Sequence, residues 1–160
     1  MLDPVPISRT GYNKIKEELD KLQEELTEVK QTVAEARELG DLKENGAYIY
    51  GRERQGFIVG KIQELQGILS QADIVDCTKV EPDQADFGTV VTLLDLDTQR
   101  KITYQLVGPN ESDYHDNGLS IHSPVGEAIL GCEIGDKVTV TIPRGDRNLE
   151  VVAIERATID

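Results

Sequence analysis

Two long runs of mostly apolar residues, spaced alternately by three and four positions, occupy the first half of the chain and are separated by residues 40–45. The first run comprises Tyr12, Ile15, Leu19, Leu22, Leu26, Val29, Val33 and Ala36, and the second comprises Tyr48, Gly51, Gln55, Ile58, Ile62, Leu65, Leu69 and Ala72. This spacing places the members of a run on one face of an α-helix. Each run spans about 25 residues, which at about 1.5 Å per residue predicts a helix roughly 40 Å long. Two such helices joined by a short connection predict an antiparallel coiled-coil hairpin.

Residues at the ends of both runs have the chemistry of helix caps. Ser8 precedes the first run as an N-cap would, and Gly40 falls where a C-cap residue with positive φ is expected. Asp41 is followed three residues later by Glu44, the spacing of a capping box, which predicts that the second helix begins at Asp41. Several glycines lower the intrinsic helicity of the second run, each by up to about 1 kcal/mol, so this helix depends on packing against the first.

The second half of the chain changes from helical spacing to a period of two. Alternating apolar and polar residues predict half-buried antiparallel strands at residues 101–106 and 137–142. A continuous β-prone run predicts another strand at residues 89–94, and a last strand is expected after the turn at 143–146. Ser123 and Pro124 provide an N-cap and a first helical residue, and Gly131 ends the short helix that they begin. The polar segment 77–84 has neither period, which predicts two domains, residues 1–77 and 78–160. The expected fold is α+β, a helical hairpin followed by a small antiparallel sheet with one short helix.

The charge of the chain excludes some classes of function. The net charge is −13, which argues against autonomous binding to nucleic acid, because neutralising phosphates requires clustered Lys and Arg. Residues 1–75 carry 10 basic and 14 acidic side chains, net −4, whereas residues 76–160 carry 7 and 16, net −9. No apolar stretch approaches the roughly 18 residues of a membrane span, and the N-terminus lacks a signal-peptide core. We therefore expect a cytoplasmic protein that does not contact membranes.

Other candidate sites in the second half have weak signals. Cys77 and Cys132 form no CxxC pair and lack a nearby His at metal spacing, so we expect two buried free thiols. The polar stretch 109–117 contains Glu111 and His115, and we favour a solvated loop there over a cluster of metal ligands. His122, beside the short helix, is expected to be structural.

Asp41 and Glu44 interrupt the two helical runs where the chain reverses direction. One interpretation is that both carboxylates cap the second helix. The other is that they share a hard cation, because Mg²⁺ typically accepts one or two protein carboxylates together with water and phosphate oxygens. The two carboxylates would then form half of a metal site, and a partner would supply the rest.

Residues 40–45, preceded by residues 35–37 and followed by Tyr48, resemble the tip signature of the bacterial Gre family of transcript cleavage factors. Further segments similar to the family lie at residues 7–12, 74–76, 87–91, 104–108, 120–124 and 135–138. The low pI resembles the acidic GreA branch, whereas residues 48–52 have some similarity to the more basic GreB branch. The resemblance covers essentially the whole chain.

The resemblance implies a transcription elongation factor whose coiled coil enters the secondary channel of RNA polymerase. Asp41 and Glu44 match the family's catalytic pair, which helps to hold the second Mg²⁺ while the polymerase cleaves backtracked nascent RNA near its 3′ end. The chain would then be a monomeric cofactor of the polymerase rather than an enzyme, with no stably bound metal of its own. The second domain would be FKBP-like and would dock on the rim of the polymerase. We expect Ser120, Ser123 and Pro124 to contribute to this contact.

Other residues near the tip acquire expected roles from the same resemblance. Arg37 and Arg52 resemble the family's small basic patch and are expected to contact the RNA backbone. Lys43, Asn45 and Tyr48 are expected to support the tip. Tyr48 also lies on the helical seam, so packing is an alternative role for its ring.

Three other functions remain open at this point. A Gre-like inhibitor could occupy the same channel without promoting cleavage, although such proteins have altered tips and Asp41 and Glu44 are intact here. An FKBP-type prolyl isomerase needs an aromatic-lined apolar pocket, for which the second half offers Phe87, Tyr104 and Tyr114. A coiled-coil adaptor or chaperone would be favoured if the tip acids proved dispensable.

Overall fold

The computed structural model describes residues 4–159. Two helices, α1 (Arg9–Glu38) and α2 (Gly46–Gln71), form the predicted hairpin. The buried members of its seam are Ile15, Leu19, Val33, Ala36, Gly51, Ile58, Ile62 and Leu65. A Cβ atom added at Gly51 would lie 2.8 Å from Cγ2 of Val33, so the two helices approach too closely there for any side chain on Gly51. The predicted seam is confirmed along both helices.

The helix ends agree with the predicted caps except at the start of α2. The Ser8 hydroxyl accepts a hydrogen bond from the Gly11 N–H at 3.0 Å, and Gly40 has φ of 120°, as expected of a cap at either end of α1. The prediction that α2 begins at Asp41 is wrong. The cap of α2 is Asn45, whose Oδ1 accepts from the Tyr48 N–H at 3.1 Å. Asp41 instead accepts from the Lys43 N–H at 2.9 Å, a local turn that keeps the chain out of the helix.

The remaining elements form two sheets. Their strands are β1 (Val5–Ser8), β2 (Ala72–Val75), β3 (Val90–Asp95), β4 (Lys101–Val107), β5 (Gly118–Ser120), β6 (Lys137–Ile142) and β7 (Gly145–Glu155). β1 and β2 pair in parallel, whereas the other five strands form a sheet in the order β5-β4-β3-β7-β6. That sheet is antiparallel except for the β4–β5 pair, and its β3–β7 register shifts between Thr92 and Leu93. The strands predicted at residues 89–94, 101–106 and 137–142 are confirmed as β3, β4 and β6, and the strand predicted after the last turn is β7.

An apolar core lies against the five-stranded sheet. The helix α3 (Pro124–Ile129) packs on it, capped by the Ser123 hydroxyl, which accepts from the Gly126 N–H at 3.1 Å. The buried core consists of Ala85, Val91, Leu93, Leu106, Ile129, Val140, Leu149, Val151 and Ile154. Gly131 follows α3 with φ of 87°, which ends the helix as predicted.

The compact units of the chain do not follow the predicted boundary after residue 77. One unit is Asn13–Gln71, and within the described residues the other joins residues 4–12 to residues 72–159. The N-terminal residues belong to the second unit because β1 pairs with β2, a parallel pairing that the sequence pattern did not indicate. Within residues 4–159, no helix is long and apolar enough to span a bilayer.

Candidate functional site

The turn between α1 and α2 presents the two predicted carboxylates to solvent. Asp41 and Glu44 are both exposed. One oxygen of Asp41 accepts the Lys43 N–H, and the other has no hydrogen bond within the described residues. The Glu44 carboxylate has no hydrogen bond or ion pair to any described residue. Most of the lone pairs of both carboxylates are therefore available to a ligand from outside the chain.

These two carboxylates fit part of a Mg²⁺ site. Both supply the hard oxygen donors that this ion prefers, and Mg²⁺ commonly takes one or two carboxylates from a protein. Within residues 4–159, no three or more His, Cys, Asp or Glu side chains are grouped as metal ligands. The donor set at the turn is therefore suited to sharing an ion whose other ligands come from another molecule.

Asn45 connects the two helix ends beside these carboxylates. Its side-chain amide donates to the Ala36 carbonyl at 2.6 Å, while its Oδ1 accepts from the Tyr48 N–H. The first bond satisfies a carbonyl at the end of α1, and the second satisfies an amide at the start of α2. A carboxamide can do both because it carries a donor and an acceptor, whereas the Asp41 carboxylate predicted for the cap can only accept.

The predicted basic residues lie on either side of the turn. The Arg37 guanidinium, in the last turn of α1, stands 5.7 Å from the centroid of the Tyr48 ring, which is within cation–π distance. Tyr48 is half-buried, so its ring both packs at the seam and supports Arg37. Arg52 and Lys43 are exposed and form no ion pair with the described residues.

An ion pair across the hairpin has no signal in the sequence. Arg54 Nε donates to a Glu25 carboxylate oxygen at 2.9 Å, and the same guanidinium lies 5.3 Å from the centroid of the Phe57 ring. The partners are 29 positions apart, and only the pairing of the two helices brings them together. Arg54 is consequently less free to contact a ligand than Arg52.

The expectation of a solvated loop at residues 109–117 is wrong at Glu111, which is fully buried. Its carboxylate accepts from the Ser8 N–H at 3.0 Å, the Gly108 N–H at 2.9 Å and His115 Nε2 at 2.8 Å, and also from the Ser8 hydroxyl. Burial raises the pKa of Glu111, but the hydrogen bonds from His115, Ser8 and Gly108 outweigh it and hold the pKa below its usual value. Ser8 is 103 positions away, so no local pattern could have indicated the cluster.

The Ser8, His115 and Glu111 cluster is structural despite containing the residue types of a hydrolytic triad. A triad histidine contacts its serine and its carboxylate through opposite ring nitrogens. Here the same atom, Nε2, lies 3.2 Å from the Ser8 hydroxyl and 2.8 Å from Glu111. Ser8 is also fully buried and caps α1. The cluster anchors the β1–α1 corner to the loop after β4.

The residues predicted to dock on a partner lie at the start of α3. The Ser123 hydroxyl donates to the Ser120 carbonyl at 2.6 Å and accepts from Gly126, while the Ser120 hydroxyl accepts from the His122 N–H at 3.1 Å. Both hydroxyls therefore organise the turn itself. Pro124 is exposed at the surface of this turn.

The three aromatic residues considered for a prolyl isomerase do not share one pocket. Phe87 is buried with Cys77 and Ala157. Tyr104 and Tyr114 line a cavity of about 360 Å³, whose wall also contains the apolar residues Val90 and Ile159 and the polar residues Thr10, Thr103, Gln105, His115, Asp116 and Asn117. The buried Phe87 is not among the residues that line this cavity.

The structure thus defines a two-part chain, a helical hairpin with two exposed carboxylates at its turn and a unit built around a five-stranded sheet. Family models match both parts. The N-terminal domain of the GreA/GreB transcription elongation factors matches residues 5–74, and their C-terminal domain matches residues 80–156.

Individual relatives agree along nearly the full chain. Transcription elongation factor GreA of Thermodesulfovibrio yellowstonii is 43% identical over 155 residues, covering 96% of this chain and 98% of its own. GreA of Desulfotalea psychrophila is 45% identical over 156 residues, covering 97% of each. The crystal structure of GreA factor homolog 1 from Thermus thermophilus aligns over 94% of this chain and 98% of its own, with 29% identity and a TM-score of 0.45. The chain belongs to the GreA/GreB family of transcription elongation factors, which confirms the predicted resemblance and fold class.

Proposed function

We propose that the chain binds RNA polymerase and stimulates the polymerase's own cleavage of backtracked nascent RNA, so that arrested complexes resume elongation. Membership of a family of transcription elongation factors supports RNA polymerase as the partner. The observation that carries the cleavage role is the pair of exposed carboxylates at the turn, Asp41 and Glu44. The helices behind them have 30 and 26 residues, a rod of roughly 40 Å at 1.5 Å per residue. Such a rod can deliver the turn through a channel into another enzyme's active centre.

Each tip residue has a separate task in this proposal. The free oxygens of Asp41 and Glu44 would complete the coordination of a Mg²⁺ ion held mainly by the polymerase, and would accept a hydrogen bond from the attacking water. When bound, Mg²⁺ neutralises charge that develops on the phosphodiester during hydrolysis. Asp41 is oriented by its bond to the Lys43 N–H, and Asn45 holds the turn between the helix ends. The chain supplies part of a site and acts as a cofactor of the polymerase, not as an enzyme.

The basic residues near the tip are proposed to hold the RNA 3′ end. Arg37, braced on the Tyr48 ring, and the exposed Arg52 can each neutralise a phosphate. The net charge of −13 keeps the whole chain from binding nucleic acid on its own. Contact with RNA would thus occur only inside the elongation complex.

The β unit is proposed to hold the factor on the outside of the polymerase. The turn at residues 120–124 is the surface that we assign to this contact, and Pro124 is exposed there. We infer a monomer that acts in the bacterial cytoplasm, where transcription takes place.

The test is an RNA cleavage assay on stalled elongation complexes with the wild type, Asp41→Asn and Glu44→Gln. We expect the wild type to shorten the RNA only with polymerase and Mg²⁺ present, and either substitution to abolish shortening. Glu53→Gln, which neutralises an exposed carboxylate further along α2, is the matched control and should cleave normally.

Binding must be measured beside cleavage in the same complexes. Asp41→Asn should still displace labelled wild-type factor from the polymerase. Cleavage that survives both tip substitutions would refute the mechanism, and cleavage of free RNA would indicate a nuclease. Binding by the wild type that slows elongation without cleavage would instead support the channel-inhibitor function.

A further inference from the structure

An asparagine followed directly by a glycine lies at the start of α2, beside the two tip carboxylates. Asn45 is half-buried and caps the helix, and Gly46 is the exposed first residue of the helix. The carboxamide of an asparagine can be attacked by the main-chain nitrogen of the next residue, and glycine permits the closest approach because it has no side chain. The Asn45–Gly46 pair therefore has a sequence that is prone to deamidation.

The main-chain nitrogen of Gly46 is accessible in the structure. A Cβ atom built on Gly46 would meet no atom within 4 Å beyond its chain neighbours and its own helix backbone. The first N–H groups of an α-helix have no acceptor within the helix, and the Gly46 N–H forms no hydrogen bond to the described residues. Neither packing nor hydrogen bonding therefore blocks attack by this nitrogen.

Two hydrogen bonds of the Asn45 carboxamide control when the attack can occur. Its nitrogen donates to the Ala36 carbonyl at 2.6 Å, and its oxygen accepts from the Tyr48 N–H at 3.1 Å. The carboxamide must leave both partners before its carbon can close a ring with the Gly46 nitrogen. Helix ends open more readily than helix interiors, so such openings occur in the folded protein.

We propose that Asn45 is a site of spontaneous deamidation that loosens the tip. This inference deepens the proposed function, and its effect on RNA cleavage rests on that function. The Gly46 nitrogen gives its proton to water and bonds to the Asn45 side-chain carbonyl carbon. The bond from that carbon to Nδ2 breaks, and ammonia leaves with a proton taken from water. A water molecule then opens the succinimide ring, which yields aspartate when the new bond breaks and isoaspartate when the original peptide bond breaks.

Either product loses the link between the two helix ends. A carboxylate at position 45 cannot donate to the Ala36 carbonyl, and isoaspartate also reroutes the main chain through the side chain at the cap. The new negative charge lies next to Glu44 and close in sequence to Asp41. Repulsion among these carboxylates adds to the loss of the hydrogen bond. Deamidation should therefore lower the fraction of the factor whose tip is ordered.

A second pair of this kind, Asn117 and Gly118, provides a comparison within the same chain. Asn117 is exposed, but its carbonyl accepts from the Gln105 N–H at 2.9 Å, and Gly118 pairs with Gln105 in the sheet. A Cβ atom at Gly118 would lie 2.7 Å from the Ser112 carbonyl oxygen, so the chain is tightly packed there. Ring closure requires movement of this peptide, which the sheet opposes. Asn45 should therefore convert faster than Asn117 in the folded chain.

The test follows both asparagines by peptide mass spectrometry while the whole folded chain is incubated at neutral pH. Gly46→Ala keeps Asn45 but places a methyl group on the attacking residue, whereas Gly56→Ala adds the same group further along α2 and leaves the pair intact. The wild type and Gly56→Ala should convert Asn45, and Gly46→Ala should retain it. In concentrated urea the wild type should convert Asn45 and Asn117 at similar rates. Both variants should keep the wild-type circular dichroism spectrum.

Aged wild-type factor tests the effect of conversion on the tip. The converted fraction should exchange the Tyr48 amide about fivefold faster, as expected for the loss of one hydrogen bond. It should also lose RNA cleavage in stalled complexes while it still competes for polymerase. Gly46→Ala aged in the same way should keep the exchange rate and the cleavage of fresh factor.

Two results would overturn the role of Asn45. In the first, Asn45 stays intact in the folded wild type although it converts in urea. In the second, conversion leaves the exchange of the Tyr48 amide unchanged. Both are measured on the free factor, so they are independent of the proposed function, which would instead be refuted if fresh wild type failed to cleave RNA in stalled complexes. Full cleavage by the converted factor would refute the effect of deamidation on cleavage.

Discussion

Replacing Asn45 with Ala should loosen the tip without unfolding the hairpin. The substitution removes the bond to the Ala36 carbonyl, at 2.6 Å, and the bond from the Tyr48 N–H, at 3.1 Å. Each hydrogen bond contributes about 1 kcal/mol. Local opening of the first turn of α2 should therefore become about 2 kcal/mol easier, which accelerates amide exchange by about thirtyfold.

Hydrogen exchange measured by NMR on the free factor tests this value directly. The reporting amides are those of Tyr48 and Ile49, which bond to the side chain and the carbonyl of Asn45 respectively. The amide of the buried Leu65, in the C-terminal half of α2, should exchange at the wild-type rate.

Asn45→Asp is the matched control for the two separate bonds. A carboxylate can still accept from Tyr48 but cannot donate to Ala36, so about 1 kcal/mol should be lost and exchange should accelerate about fivefold. Equal exchange of the Tyr48 amide in Asn45→Ala and the wild type would refute the assignment of Asn45 as the link between the helix ends.

Three further predictions concern the seam, the buried carboxylate and the basic patch. Gly51→Ala places a Cβ 2.8 Å from Cγ2 of Val33 and should destabilise the hairpin by about 1–2 kcal/mol. Gly56→Ala meets no atom within 4 Å and should stabilise the hairpin by up to about 1 kcal/mol. Thermal melts in which both variants change the melting temperature in the same direction would contradict the packing at Gly51. Because its pKa is lowered by folding, Glu111 adds stability that is present above the unfolded pKa and lost as pH falls through the folded pKa. Glu111→Gln should therefore cost about 3 kcal/mol at neutral pH and weaken the acid dependence of stability in urea titrations, and an unchanged dependence would count against the buried cluster. Arg52→Gln should reduce RNA cleavage and make cleavage less sensitive to salt, while competition for polymerase stays intact. Equal salt dependence of cleavage by Arg52→Gln and by the wild type would contradict a contact between Arg52 and an RNA phosphate.

Much of the fold could be predicted because its signals are local. The spacing of residues such as Ile15, Val33 and Ile58 identified the seam, since helical periodicity requires only neighbouring residues along one helix. The Ser123 cap and the Gly131 stop of α3 were predicted for the same reason. The start of α2 was predicted incorrectly because Asp41 and Asn45 are both suitable capping residues. The choice between them depends on the Ala36 carbonyl at the end of the other helix.

The sequence by itself determined that Asp41 and Glu44 lie at the turn of a long helical hairpin, because residues 40–45, five of them polar or small, interrupt two heptad runs. Only the tertiary structure decided which hydrogen bonds those carboxylates form. Because Asn45 caps α2, the Glu44 carboxylate is not used as a cap and forms no hydrogen bond within the described residues. The tertiary structure also decided that Glu111 is buried and that β1 pairs with β2. The physical reason is distance along the chain, because contacts between residues as far apart as Ser8 and Glu111 leave no periodic trace in either segment.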